Sequence, residues 1–264
     1  MLMDLELINQ IKDPIRMKHY NFIIKEINKS LGLKRSTDIS ILDVGCGTGQ
    51  LAGLLGNFGY QVLGIDIYQP KIEKAKEQKF SNNVSFQCRD ALSLNLKGEF
   101  DVIIAADVVE HLEKPEKFVI TASSLLKSGG ILIITIPNGY GIKELTHRMY
   151  ERYVLSTFLH KFFRHIRRCL ISDDRWAVPK VDSLSAAKFP HVQFFTFKRL
   201  NSLLNNGGFR ITRKQNGSFI SSIYMLRVLF DNFLILKKLD VFIADILPHF
   251  LASSWLIVAK KTKV

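Results

Sequence analysis

An apolar stretch that runs straight into Gly45-Cys46-Gly47-Thr48-Gly49 constrains this chain more than any other feature. Three glycines at alternate positions break both strand and helix, so Leu42-Asp43-Val44 must end a strand and Gln50 must open a helix, with a tight turn between them. A strand that feeds a helix through such a turn belongs to a parallel α/β sheet, where ligands bind outside the carboxyl ends of the strands. There the backbone N–H groups and the helix N-terminus are expected to cradle a ligand.

The rest of the chain repeats the alternation. Asp13-Pro14 forms a cap and first-turn pair, and Tyr20, Ile23, Ile24, Ile27 and Leu31 recur at helical spacing until Gly32. Strands are expected at 39–44, 61–67, 84–88, 100–105 and 131–136, and helices at 50–57, 70–79 and 115–127. A helix over 196–206, a strand over 209–214 and a last strand over 255–261 complete the pattern, which argues for an α/β sheet of mostly parallel strands. With 264 residues and 47% hydrophobic side chains, one domain is expected. Its core takes in 14–138, 191–217 and 252–264, and two insertions, 139–190 and 218–251, form a cap.

Charge is uneven. Residues 1–138 carry 16 basic and 16 acidic side chains, so the whole excess of +13 falls in residues 139–264, and something anionic is expected to meet that half. The longest charge-free run, Val44 to Ile65, holds seven glycines and is unsuited to a bilayer. The start, MLMDLELINQIKDP, lacks the basic and apolar regions of a signal peptide, which leads to the expectation of a cytoplasmic protein. Cys46, Cys88 and Cys169 are too scattered for a disulfide framework or a zinc knuckle.

Three carboxylates say what the glycine turn holds. Asp43 lies two residues before the first glycine, where it repels a pyrophosphate and attracts a cationic ammonium. Asp66 ends the second strand, the place for a carboxylate that accepts from ribose hydroxyls. Asp90 follows the third strand, where it can accept from an adenine amine. Gln50 in the last position of GxGxxG disfavours a dinucleotide-binding dehydrogenase.

At these residues the chain resembles the class I S-adenosylmethionine-dependent methyltransferases. LDVGCGTG, GIDIY, QCRDAL, FDVIIAADVVEHL and GGILIITIPN match that family's motifs in order over about 15–137, with weaker agreement at HVQFFTFKRLNSLLNNGGFRI and WLIVAKK. The resemblance implies a Rossmann-like seven-stranded sheet with helices on both faces and an antiparallel last strand. It implies S-adenosyl-L-methionine as cofactor, with Asp43 and the backbone of Gly45, Gly47 and Gly49 at the methionine moiety. Asp66 goes to the ribose and Asp90 with Ala91 to the adenine, while Cys46, Ile67 and Asp107 join the cofactor-binding set.

Methyl transfer from a sulfonium needs mainly positioning, and a base only if the acceptor must lose a proton. His111 is the candidate general base, with Glu110 beside it, and the alternative that His111 merely orients the loop stays open. A sharper alternative groups Asp107, Glu110 and His111 with His191 as a divalent metal site. That grouping is similar to metal-assisted small-RNA 2′-O-methyltransferases, and E-x-x-E-H in ubiquinone-pathway O-methyltransferases is similar too, although Asp107 shortens the first position. Asn138 is a candidate hydrogen-bonding partner for the acceptor. An NPPY-like motif and a suitably placed cysteine nucleophile are both missing, which disfavours methylation of DNA amines or pyrimidine carbons.

Residues 150–170 read as a basic amphipathic helix, a cover for the cleft or a peripheral membrane contact. The apolar run within 218–250 is either core or a greasy surface for a lipid-linked acceptor or a second subunit. Together they point to O-methylation of a small or lipid-linked amphipathic acceptor. RNA is the alternative acceptor, nucleic acid being less favoured because no RNA-binding module is recognisable. A cofactor-binding scaffold without turnover is the alternative from another class.

Overall fold

The computed structural model describes residues 11–32, 34–94, 98–141, 192–220 and 233–262. Helix α1 (Pro14–Leu31) begins where Asp13 accepts from the N–H groups of Ile15 and Arg16. The elements β1 (Ser40–Val44), α2 (Gln50–Asn57), β2 (Gln61–Asp66), α3 (Gln69–Glu77), β3 (Val84–Cys88), β4 (Phe100–Ala106) and α4 (Pro115–Leu125) follow. After them come β5 (Leu126–Pro137), α5 (Phe197–Asn206), β6 (Phe209–Asn216), α6 (Leu234–Ile246) and β7 (Ser254–Lys261).

The strands form one seven-stranded sheet in the order β3-β2-β1-β4-β5-β7-β6. β1 pairs in parallel with β2 and β4, whereas β7 runs antiparallel to both neighbours, β5 and β6. Strand order reverses at β1, which leaves a crevice outside the carboxyl ends of β1 and β4. The side chains of each strand alternate between two buried layers. Leu42, Ile103, Leu132 and Ile134 face Phe118, Leu200 and Trp255, while Ile41, Ile104 and Ile133 face Phe22, Ile27, Leu55 and Ile72.

β5 starts five residues before the expected Ile131, because Leu126 already pairs with Phe100 across a register shift. The helix expected to reach Lys127 ends at Leu125, and Gly129 at φ +76° lets the strand carry Lys127 and the polar Ser128. β6 likewise runs to Asn216 rather than Lys214.

The described part of 218–251 is tied to the core rather than free of it. Lys18 pairs with Asp245 at 2.8 Å and Lys237 with Asp13 at 2.6 Å. Burial works against ionised Asp13, but Lys237 and the Arg16 and Ile15 N–H groups prevail and hold its pKa below the usual carboxylate value. Residues 142–191, including the helix expected over 150–170 and His191, lie outside the described residues. Among the described residues no helix is long and apolar enough to cross a membrane.

Asp101 clamps the opposite edge of the sheet. It is buried and accepts from Lys127 (2.8 Å), Lys34 and Ser40. Burial alone raises its pKa, yet the two lysines and Ser40 outweigh it and hold the carboxyl far below its ordinary range. A depressed folded pKa stabilises the fold above the unfolded carboxylate pKa and loses that effect as pH falls toward the folded value. Asp101→Asn is expected to cost about 2–3 kcal/mol at neutral pH through lost charge-assisted hydrogen bonds. Thermal unfolding at pH 7 should show the loss, and the gap to wild type should shrink below about pH 4.

Candidate cofactor and active site

All three loop glycines have left-handed backbone: Gly45 at φ +70°, Gly47 at +57° and Gly49 at +82°. A Cβ on Gly45 meets Val108 Cγ2 at 2.5 Å and one on Gly49 meets Phe86 Cζ at 2.5 Å, so these two are required by packing as well as by conformation. At Gly47 the nearest atom is Lys71 Cδ, 4.0 Å away, and the loop is open on that side.

Four donors of this loop are turned inward. The N–H groups of Gly45 and Cys46 both donate to Ile65 O (2.8 and 3.0 Å), Gly49 N–H to Cys46 O (2.9 Å) and Gly47 N–H to Asp66 Oδ2 (3.0 Å). These four amides are therefore already paired within the protein. A loop with its amides engaged offers little to a phosphate, and the orphaned atom beside it has the opposite polarity. Asp43 is 2% exposed, its Oδ2 is buried without a hydrogen-bond partner, and burial together with the Asp66 charge raises its pKa to about 7. A buried acceptor left unsatisfied favours a cationic donor such as an ammonium group, which is what a zwitterionic methionine moiety brings. Burial also pushes the Cys46 thiol up, so Cys46 contributes packing and backbone rather than reactivity.

Asp66 holds two loops together, with Oδ1 accepting from Tyr68 N–H (2.9 Å) and Oδ2 from Gly47 N–H. Each oxygen keeps a further lone pair for a hydroxyl donor. Ile67 beside it is 61% exposed, an apolar surface unsupported by protein on one side. Asp66 lies opposite Cys88 in the β2–β3 register, which brings Asp90 and Ala91 to the same sheet edge. The Asp90 side chain is exposed and caps its own turn by accepting from Leu92 N–H at 2.9 Å.

Asp107 follows β4 at φ +53°, the one non-glycine residue with positive φ among those described. Its N–H donates to Thr135 O at 3.0 Å and its Oδ1 accepts from the Thr135 hydroxyl at 2.9 Å. Backbone strain of this kind persists only where neighbours enforce it, and Thr135 of β5 does so here. Glu110 is 1% exposed, and its carbonyl receives the N–H groups of Val192 and Gln193, both at 3.0 Å. It anchors the segment that returns to the sheet. His111 is half-buried at the end of the 3₁₀ turn Val109–His111. Among the described residues no three His, Cys, Asp or Glu side chains gather closely enough to hold a metal. Asn138 does not face an acceptor: its amide donates to Phe250 O (3.0 Å) and Ala252 O (2.9 Å), and its Oδ1 accepts from Tyr140 N–H.

Two residues of α1 escape sequence reasoning. The Nε2 of His19 is buried without a partner, beside Gly217, where an added Cβ would come within 3.1 Å of it. Burial lowers the His19 pKa, with the Asp107 charge opposing. Tyr20 is shifted up by burial and then by Asp43 and Asp107. Arg16 fixes the helix above the glycine loop through Gln50 Oε1 at 2.9 Å. In sequence, His19 sits beside an ordinary apolar stripe and carries no signal.

A family model described as "Methyltransferase domain" matches residues 16–214. The chain is 33% identical over 129 residues to a ubiquinone biosynthesis O-methyltransferase of Pelagibacter ubique, a match covering 48% of this chain and 54% of that one. It is 30% identical over 152 residues to the protein of the same name from Rickettsia canadensis, covering 57% and 58%. The chain thus spans about half the length of the curated relatives it matches. Among solved structures it superposes on an S-adenosylmethionine-dependent methyltransferase from Mesorhizobium loti with a TM-score of 0.56 and 15% identity, covering 90% and 96%. Magnesium protoporphyrin IX methyltransferase from Synechocystis, solved with SAH bound, gives 0.52 and 18%, covering 94% and 85%. At these identities the likeness speaks for the fold.

Proposed function

The chain belongs to the class I S-adenosylmethionine-dependent methyltransferases, and on that premise we propose that it methylates an oxygen of a small or lipid-linked amphipathic acceptor. The orphaned, buried Oδ2 of Asp43 beside a loop whose amides are engaged is the observation that carries the cofactor assignment to these residues. In this reading Asp43 takes the ammonium of the methionine moiety, with Gly45, Cys46, Gly47 and Gly49 shaping the backbone around it. Asp66 accepts from the ribose hydroxyls, Ile67 covers one face of the adenine, and Asp90 with Ala91 lines its edge. When bound, the cofactor supplies a methyl group on a sulfonium, a leaving group that needs no protonation.

The chain's own part is to orient the acceptor, exclude water and receive a proton. Asp107, held by Thr135, borders the place where the acceptor oxygen approaches. His111 is the proposed general base, and Glu110 positions its turn by holding Val192 and Gln193. Residues 139–190 and 218–251 are proposed to cover the acceptor side as a cap, with 150–170 as a peripheral contact. The O-methyltransferase names of the relatives support oxygen as the acceptor atom. The +13 charge favours RNA as a second reading.

Calorimetric titration with S-adenosylhomocysteine and, separately, NAD tests the site. Binding of the first in the micromolar range and none of the second is the expected result; equal affinity for both overturns the assignment. Transfer of tritiated methyl from S-adenosylmethionine to lipid and RNA extracts then separates the acceptors. Label in the organic phase supports the proposal, and ribonuclease-sensitive label replaces it with RNA.

A further inference from the structure

Helix α6 is built inside out. Ile235, Leu239, Phe242 and Ile246 recur at i, i+4, i+7 and i+11, which puts them on one narrow stripe, and they are 75%, 53%, 63% and 70% exposed. The face turned to the protein carries Lys237, Asp240 and Ala244, all buried. An amphipathic helix of a water-facing domain has the reverse polarity.

The inversion is fixed by specific partners. Lys237 pairs with Asp13, Asp240 accepts from the N–H groups of Phe219 and Ile220 (3.1 and 2.7 Å), and Asn216 donates to the carbonyls of Ala244 and Leu247 (2.7 and 2.8 Å). Rotating the helix to hide its apolar stripe breaks all of these at once. Phe233 and Phe250, 55% and 70% exposed, extend the apolar surface past both helix ends, and exposed Lys238 flanks it.

We propose that this face of α6 rests on an anionic lipid surface, with Phe242 and Ile246 inserted among the acyl chains. Two observations choose the lipid over other occupants. The described segments 192–220 and 233–262, which contain this helix, carry nine basic against two acidic side chains, and that excess draws them toward an acidic bilayer. With Phe233 and Phe250 included, the apolar surface is about 30 Å long and roughly 10 Å wide, or about 300 Å², still far below the roughly 800 Å² per partner of a standard protein interface. A helix of 13 residues lies in the interface plane and does not span it. The proposal is independent of methyl transfer and of the acceptor.

Co-sedimentation of the full chain with vesicles of phosphatidylcholine and phosphatidylglycerol in equal parts, against pure phosphatidylcholine, tests it. The acidic vesicles should retain the wild type, and the double variant Phe242→Glu/Ile246→Glu should partition at least about tenfold less. Both changes fall at exposed positions, so the variant should keep the wild-type unfolding midpoint and affinity for S-adenosylhomocysteine. Wild type that stays in solution, or a variant that partitions as well as wild type, overturns the proposal. Concentration-dependent dimerisation in ultracentrifugation that the variant abolishes also overturns it, in favour of a second copy of this chain.

Discussion

Asp66→Asn should lower the affinity for S-adenosylhomocysteine at least about 100-fold, because two charge-assisted interactions are lost at about 1.5–3 kcal/mol each. The carboxylate accepts from two backbone donors that face it from different loops, Tyr68 N–H at Oδ1 and Gly47 N–H at Oδ2. An amide of the same shape presents one oxygen and one NH₂, so either Gly47 or Tyr68 must point its N–H at another donor. The glycine loop then loses its tie to the end of β2, and the ribose of the proposed cofactor site loses a carboxylate acceptor. Both effects act at the crevice outside the sheet, away from the core clusters that hold β1 and β2. The unfolding midpoint should therefore fall by only a few degrees while binding collapses. Calorimetric titration of the variant measures this, and an affinity within threefold of wild type removes Asp66 from the binding site.

Local chemistry made the sheet legible. Helix α2 and strand β3 have the bounds expected, because glycines bracket the first and a turn precedes the second. The start of β5 escaped because Ser128-Gly129-Gly130 carries turn residues, and only the pairing of Leu126 with Phe100 makes the stretch a strand. Long-range partners account for the other departures. Nothing near Asn138 announces that Phe250 and Ala252, more than a hundred residues later, take its amide protons. The glycines foretold a tight turn but not the direction of its N–H groups, which Ile65 and Asp66 decide from the next strand. The polarity of α6 is the clearest case. In sequence it lies within an apolar run open to either core or an exposed surface, and pairing with Asp13 and with the amides of Phe219 and Ile220 turns the polar side inward.

Asp43→Asn should weaken S-adenosylhomocysteine binding and strengthen the ligand-free fold at the same time. With a folded pKa of about 7 against an unfolded value near 3.9, the carboxyl holds its proton longer in the native state. Its stabilising effect is complete below about pH 4 and is lost as pH rises through about 7, since ionisation then places an uncompensated charge in the interior. Asparagine never ionises, so at pH 8 the ligand-free variant should melt above the wild type. Binding runs the other way. An ammonium favours the ionised carboxylate, so below about pH 7 the wild type must first release a proton and its affinity should fall about tenfold per pH unit. Above about pH 7 the dependence should flatten. In the variant the slope should vanish, with affinity at pH 8 reduced about 30- to 100-fold through the lost charge-assisted contact. Titrations at pH 5.5, 6.5, 7.5 and 8, paired with thermal unfolding of the ligand-free proteins, read both signs. A group that merely supports the fold loses stability when neutralised, so a variant that binds less and melts higher separates a cofactor-facing carboxylate from a structural one.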